Sequence, residues 1–170
     1  MIPVSGLPQH IVIRFVVLNC VFETMEISDT VEINAAPEVV FDWLSHLDQH
    51  YQQWHPDHRD CYWLRGDHME VGSVLYAEEI IHNTLHKLRY RITRIQPGQL
   101  VEFQLLGSIG LLVPRGVFSI TPTKNGCRFT ATLYPRAGWL LQRLMPKRVS
   151  ALIKHQEEEG KSLQRILGTH

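Results

Sequence analysis

The chain has 170 residues, 44% of them hydrophobic and 20% charged, the balance of one globular domain long enough to bury a core. Its 17 Lys and Arg equal its 17 Asp and Glu, so net charge gives no reason to expect nucleic acid or an anionic membrane as partner. Three scattered cysteines, Cys20, Cys61 and Cys127, show no CxxC spacing. They argue against a disulfide scaffold or a zinc ribbon and suit a reducing, cytoplasmic compartment. Ten histidines is the one unusual count, histidine being the commonest metal ligand and the side chain that titrates near neutrality.

In chain order, the apolar run 11–21 carries Arg14 and Asn19 and is too short to span a bilayer. It has neither the basic start nor the small-residue cleavage site of a signal peptide. Residues 1–24 are expected to form an N-terminal extension or extra strand, and residues 25–170 the main domain. Residues 25–33 alternate β-branched and polar side chains, a strand pattern. Pro37 suits the first turn of a helix and Glu38 complements its N-terminus, with Val40, Phe41, Trp43 and Leu44 as its apolar face. That helix should end near Leu47. A second short helix or ordered loop then leads through Tyr51 to Trp54-His55-Pro56-Asp57-His58, where Pro56 disfavours a helical His55.

A short strand is expected at 61–64, a turn at Arg65-Gly66-Asp67, and a hairpin from 71–81 and 85–95 with His82, Asn83 and Thr84 near its tip. Pro97-Gly98 marks another turn before a strand at 100–105. The apolar, glycine-rich stretch 107–114 reads as a strand end or a mobile loop. A second hairpin, 116–121 with 127–134, turns at Lys124-Asn125-Gly126. In the last helix Met145, Val149, Leu152, Leu163 and Leu167 recur at helical spacing, and Pro146 either kinks that helix or starts it. This order predicts an α+β domain in which a curved antiparallel sheet wraps a long C-terminal helix, leaving a cavity between them.

On the last helix His155 and Glu159 are four residues apart, so they stand on one side, at the edge of the apolar face. An unpaired carboxylate there is costly, and the two form either a boundary pair or half of a metal site. In the first hairpin, a loop of two or four residues pairs positions whose numbers sum to an odd value. Glu79 then shares the inner face with His86, Leu88, Tyr90 and Ile92, and Glu78 joins Lys87, Arg89 and Arg91 outside. A loop of three or five residues reverses the two. His55, Glu79, His155 and Glu159 together make a zinc shell that also suits manganese or iron. The alternative is a buried hydrogen-bonded network with every polar atom paired. By chemistry alone His58, His86, Tyr90 and Tyr134 are proton-transfer candidates, and we single out His58 and Tyr90 as catalytic. There is no GxSxG elbow, and Cys61 near His58 makes no convincing Cys-His pair.

These elements resemble the START-like superfamily of polyketide cyclases and birch-pollen-allergen-like proteins over residues 25–167. A His after Trp54, a Glu on a central strand and His-x-x-x-Glu on the last helix are similar to the diacetylphloroglucinol and phloretin hydrolase group. That resemblance implies a helix-grip fold and a zinc ion held by His55, Glu79, His155 and Glu159. It implies hydrolysis of a carbon–carbon bond between an acyl group and a phenolic ring, the metal polarising a ketone oxygen and acidifying a bound water. The chain is shorter than those hydrolases, and its His58 has no matching substrate-binding residue in them. The superfamily equally implies a non-catalytic binding or transport protein, or a metal-free polyketide cyclase or dehydratase. In each case the expected partner is a hydrophobic or aromatic small molecule, with no nucleic acid and no membrane span.

Overall fold

The computed structural model describes residues 12–16, 24–136 and 138–168. Cys20, and the apolar run 11–21 apart from the backbone of 12–16, lie outside them. The elements are β1 (Val12–Val16), β2 (Thr24–Ile33), α1 (Pro37–Ser45), α2 (Leu47–Trp54), β3 (His58–Arg65), β4 (Val74–Ile81), β5 (Thr84–Gln96), β6 (Leu100–Leu105), α3 (Ser108–Leu112), β7 (Arg115–Thr123), β8 (Gly126–Tyr134), α4 (Gly138–Leu144) and α5 (Pro146–Leu167). No helix among the described residues is long and apolar enough to cross a membrane.

All eight strands form one antiparallel sheet in the order β1-β2-β8-β7-β6-β5-β4-β3. The long helix α5 touches β2, β8 and β4. Five strand spacings separate β2 from β4, about 24 Å if the sheet were flat, while a helix is only about 10 Å across. One helix meets both strands only because the sheet curls around it. Side chains show the grip. Gln164 Nε2 donates to Glu32 O of β2 at 2.7 Å, and Gln156 Nε2 to Ala131 O of β8 at 2.7 Å. Gly160 supplies the closest approach: a Cβ there would stand 2.3 Å from Asp29 Oδ2 of β2, so only a residue without a side chain fits.

Two local choices position the site. His82 and Asn83 both have positive φ (51° and 57°), and Ile81 pairs with Thr84, so the hairpin closes through a two-residue primed turn that matches strand twist. That loop length puts Glu79 opposite His86. Glu79 is buried, whereas Glu78 faces outward to Lys87 Nζ at 3.3 Å. The second choice is Pro146, which stands at the first position of α5, where its missing N–H costs nothing. It starts the helix, and α4 before it is a separate element.

Two expectations are corrected. The stretch 107–114 is neither strand end nor loop. Gly107 turns with φ 75° into the one-and-a-half turns of α3, closed by Val113 N donating to Ile109 O at 2.8 Å. And β3 begins at His58 rather than at Cys61. A turn, with His58 N donating to His55 O at 3.0 Å, delivers the chain to β4 earlier than its apolar pattern suggests.

Candidate functional site

A cavity of about 280 Å³ lies between α5 and the concave face of the sheet. Its walls are mostly aliphatic and aromatic, among them Leu88, Ile92, Phe103, Phe118 and Leu152; the polar lining includes Glu79, His155, Gln156 and Glu159, with His86 and Arg148 elsewhere. The polar side chains arrive from three directions. Glu79 comes from β4. Directly opposite it on β3 stands His58, so the pleat puts both on the same face. His155 and Glu159 come from one side of α5, a helical turn apart.

These four converge. Each offers one ligand atom, and the four atoms lie within 4.8 Å of one another. His58 Nε2 is 3.0 Å from Glu159 Oε1 and 3.8 Å from Glu79 Oε2. His155 Nε2 is 3.8 Å from each of the same two oxygens. The polar surroundings fix the roles of these atoms. His58 Nδ1 is 2.9 Å from the carbonyl of Tyr51, and a carbonyl only accepts, so Nδ1 carries the hydrogen. In the neutral ring Nε2 is then a bare lone pair. It faces two carboxylates, which have no hydrogen to give, and Glu159 Oε1 lies off its hydrogen-bonding direction. Among the described residues, both His58 Nε2 and His155 Nε2 are buried with no hydrogen-bond partner.

His58 thus stands where His55 was expected. Next to Pro56, His55 takes an extended backbone (φ −145°, ψ 142°), which turns its ring toward the outer side of α5. Its Nε2 lies 3.3 Å from Glu158 Oε2, and its Nδ1 accepts from Asp57 N at 3.1 Å. Though buried and 4.3 Å centroid to centroid from His155, it joins only a three-histidine group with His58 and His155. Of the other candidates, Tyr90 and His86 line the cavity. Tyr134 instead packs beneath the Arg115 guanidinium, 4.6 Å away.

Sequence reasoning missed Tyr51. Its ring stacks on His58 at 3.9 Å between centroids, and its hydroxyl donates to Glu79 Oε2 at 2.9 Å, so it orients two of the four. The signal was present: Leu47, Tyr51 and Trp54 recur at i, i+4 and i+7, one face of a helix, and all three are buried. Trp54 adds a clamp, its Nε1 donating to the main-chain oxygen of Glu159 at 3.0 Å.

Charge is arranged accordingly. Burial opposes the Glu79 carboxylate, but His155, His58 and the Tyr51 hydroxyl together hold it below the usual carboxylate range. Burial also disfavours an imidazolium at His155, and Glu79 and Glu159 overcome it, raising that group. His55 moves the other way, lowered by burial and then by His155. Burial, reinforced by Glu79, pushes both Tyr51 and Tyr90 far above the normal phenol range, so each is a hydrogen-bond donor and never a phenolate base. Burial, with Asp48, pushes the Cys61 thiol up to about 12, which removes it as a thiolate nucleophile at neutral pH.

A single antiparallel sheet closed around a C-terminal helix over an apolar cavity defines a helix-grip protein. The chain belongs to the family described as polyketide cyclase / dehydrase and lipid transport, whose profile matches residues 24–158. Solved structures agree on the fold. Ginseng major latex-like protein 151 from Panax ginseng aligns with a TM-score of 0.67 at 16% identity, over 85% of this chain and 97% of its own. Truncated norcoclaurine synthase from Thalictrum flavum aligns at 0.66 and 16%, over 91% and 99%. The di-domain ARO/CYC StfQ from the steffimycin biosynthetic pathway aligns at 0.62 and 14%, over 85% of this chain and 50% of that one. No curated protein matches by sequence.

Proposed function

We propose that the protein binds a hydrophobic small molecule, aromatic or polyketide-like, in the cavity beneath α5, with its oxygen-bearing end directed at His58, Glu79, His155 and Glu159. The observation that carries this reading is a cavity of about 280 Å³ with apolar walls and one buried polar cluster. Transfer of the apolar body out of water favours binding, and the cluster selects one orientation. The family description and the ARO/CYC neighbour support this ligand class. Tyr90, held as a neutral phenol, is placed to donate to a ligand oxygen, and the imidazole–carboxylate pairs suit proton transfer in a cyclisation or dehydration without metal. Displacement of a fluorescent apolar probe by acylphenols and aromatic polyketides tests it. Competitive displacement with a rise in Tm supports it; a probe that never enters the cavity refutes it.

A second reading rests on a different observation, the two orphaned Nε2 atoms facing two carboxylates. A dication among them relieves that arrangement. The ligand atoms are spaced 3.0–3.8 Å along the contacts given above, against about 3.3 Å between neighbouring ligands of a tetrahedral zinc ion with bonds near 2.0 Å. The residues therefore fit zinc, and manganese or iron by ligand type. His58, Glu79, His155 and Glu159 would hold the ion, with Tyr51 orienting Glu79 and His58. When bound, such an ion polarises a carbonyl and acidifies a water, the chemistry of carbon–carbon hydrolysis of an acylphenol. Elemental analysis decides: about one metal per chain, lost in a His155→Ala, Glu159→Ala variant, supports this reading, and metal-free protein indifferent to added zinc ends it.

A further inference from the structure

The neutral charge balance hides a segregation. From Phe103 to Gln156 the chain has no Asp or Glu and eight Lys or Arg; all 17 acidic residues lie elsewhere, with the remaining nine basic ones. Arg115, Arg128 and Lys154 pair with Glu102, Glu32 and Glu158. Arg143, Lys147 and Arg148 are exposed where α4 passes into α5, and Arg136, also exposed, stands just before α4.

That same region edges the cavity. Ile109 and Leu112 of α3, Leu141 of α4, and Val149 of α5 line it, and Arg136 N donates to Leu112 O at 2.7 Å, joining α3 to the segment before α4. While Leu141 faces the cavity, Leu140 and Leu144, four residues apart on the outer side, are exposed, Leu144 at 67%. Leu111 and Leu112 of α3 are exposed as well, Leu111 at 68%. A short helix that is apolar on both faces has one face too many for water.

We propose that this rim docks on an anionic lipid bilayer. Leu111, Leu112, Leu140 and Leu144 enter the headgroup–acyl boundary, while Arg136, Arg143, Lys147 and Arg148 meet lipid phosphates. Exposed leucines interleaved with cations are the chemistry of an interfacial helix, and each cation near such a surface strengthens partitioning about fivefold. Docked in this way, the cavity rim opens toward the phase in which an apolar ligand dissolves. The proposal does not depend on which ligand the cavity takes or on any metal.

The test is cosedimentation of the full chain with vesicles of phosphatidylglycerol or of phosphatidylcholine. Binding to the first and not the second, released by high salt, is expected. Arg143→Gln with Lys147→Gln should weaken it by about 25-fold, and Leu111→Ser with Leu144→Ser by roughly tenfold or more. Since these positions are exposed, Tm and apolar-probe binding should match the parent protein. Absence of vesicle binding overturns the proposal. So does binding that needs the cations but ignores the leucines, which marks a hydrophilic acidic partner, or concentration-dependent self-association removed by the leucine changes, which marks a second copy.

Discussion

The indole Nε1 of Trp54 donates a 3.0 Å hydrogen bond to the main-chain oxygen of Glu159, so the last residue of α2 is tied to the turn of α5 that carries the polar cluster. Trp54 is buried and meets Trp43, His58 and Phe118 edge-on, which leaves the donor little freedom. Trp54→Phe keeps much of that packing and removes this bond, leaving the carbonyl only its partner within the helix. Loss of the bond and of some ring contact should cost about 1–3 kcal/mol, read as a lower urea midpoint, and should weaken zinc or ligand binding by loosening Glu159. An unchanged midpoint would mean that water replaces the indole without penalty.

The two histidines of the His55–His58 turn make different predictions. If the cluster holds metal, His58→Ala removes one of four ligands and should abolish zinc-induced stabilisation. His55→Ala, which removes a packed ring bonded to Glu158 and Asp57, should weaken zinc binding by only about tenfold, the lower end of what losing a group beside the ligands costs. Thermal shift with and without zinc separates them. Equal loss in both would return His55 to the ligand set.

Adjacent glutamates separate in the same way. Glu79→Gln should remove metal binding and disturb the site, because Tyr51, His58 and His155 all face that carboxylate. Glu78→Gln should change stability by about 0.5 kcal/mol or less, since its partners Tyr76 and Lys87 lie on the outer face and surface ion pairs are weak. Parallel denaturant titrations check this, and a large effect at Glu78 would contradict the register.

Leu152 borders the cavity from α5 and is half-buried. Leu152→Trp should place a ring in the empty space, cut apolar-probe affinity at least roughly tenfold, and leave the far-ultraviolet circular dichroism intact. Retained probe affinity would show that the probe binds elsewhere.

Gly160 lets α5 approach β2. Gly160→Ala would gain about 1 kcal/mol from helix propensity at an open site. Here the methyl meets the buried Asp29 carboxylate and Val31, so overpacking of about 1–3 kcal/mol should cancel or exceed that gain. Urea unfolding measures the balance; a clear stabilisation would mean the helix can slide away at no cost.

Much of this was written locally. The period-2 alternation of the first hairpin was legible, and the odd-sum register with Glu79 inward follows from it once the loop has two residues, the length that the positive φ of His82 and Asn83 sets. The His155–Glu159 pair follows from the pitch of a helix. Tyr51 was legible too, as one face of α2, although its bond to Glu79 was not. His58 was misplaced because β3 bears a bulge between His58 and Cys61, which breaks the alternation that would have extended the strand back to it. The stretch 107–114 failed for a related reason: five residues are too few for a helical period to declare itself, and Gly107 acts through its backbone alone.

What the sequence by itself determined was most of the elements, the α+β class, and the face of the last helix; for the hairpin it determined the alternation but not which of its two faces turns inward. Those depend on neighbours a few residues apart. Which histidine meets Glu79 and Glu159, and how four exposed cations and four exposed leucines come to edge one cavity, were decided only by the tertiary structure. The sheet's curl brings β3 and β4 to α5, and α3 is joined to the segment before α4, across tens of residues, and no local period encodes a distance of that kind.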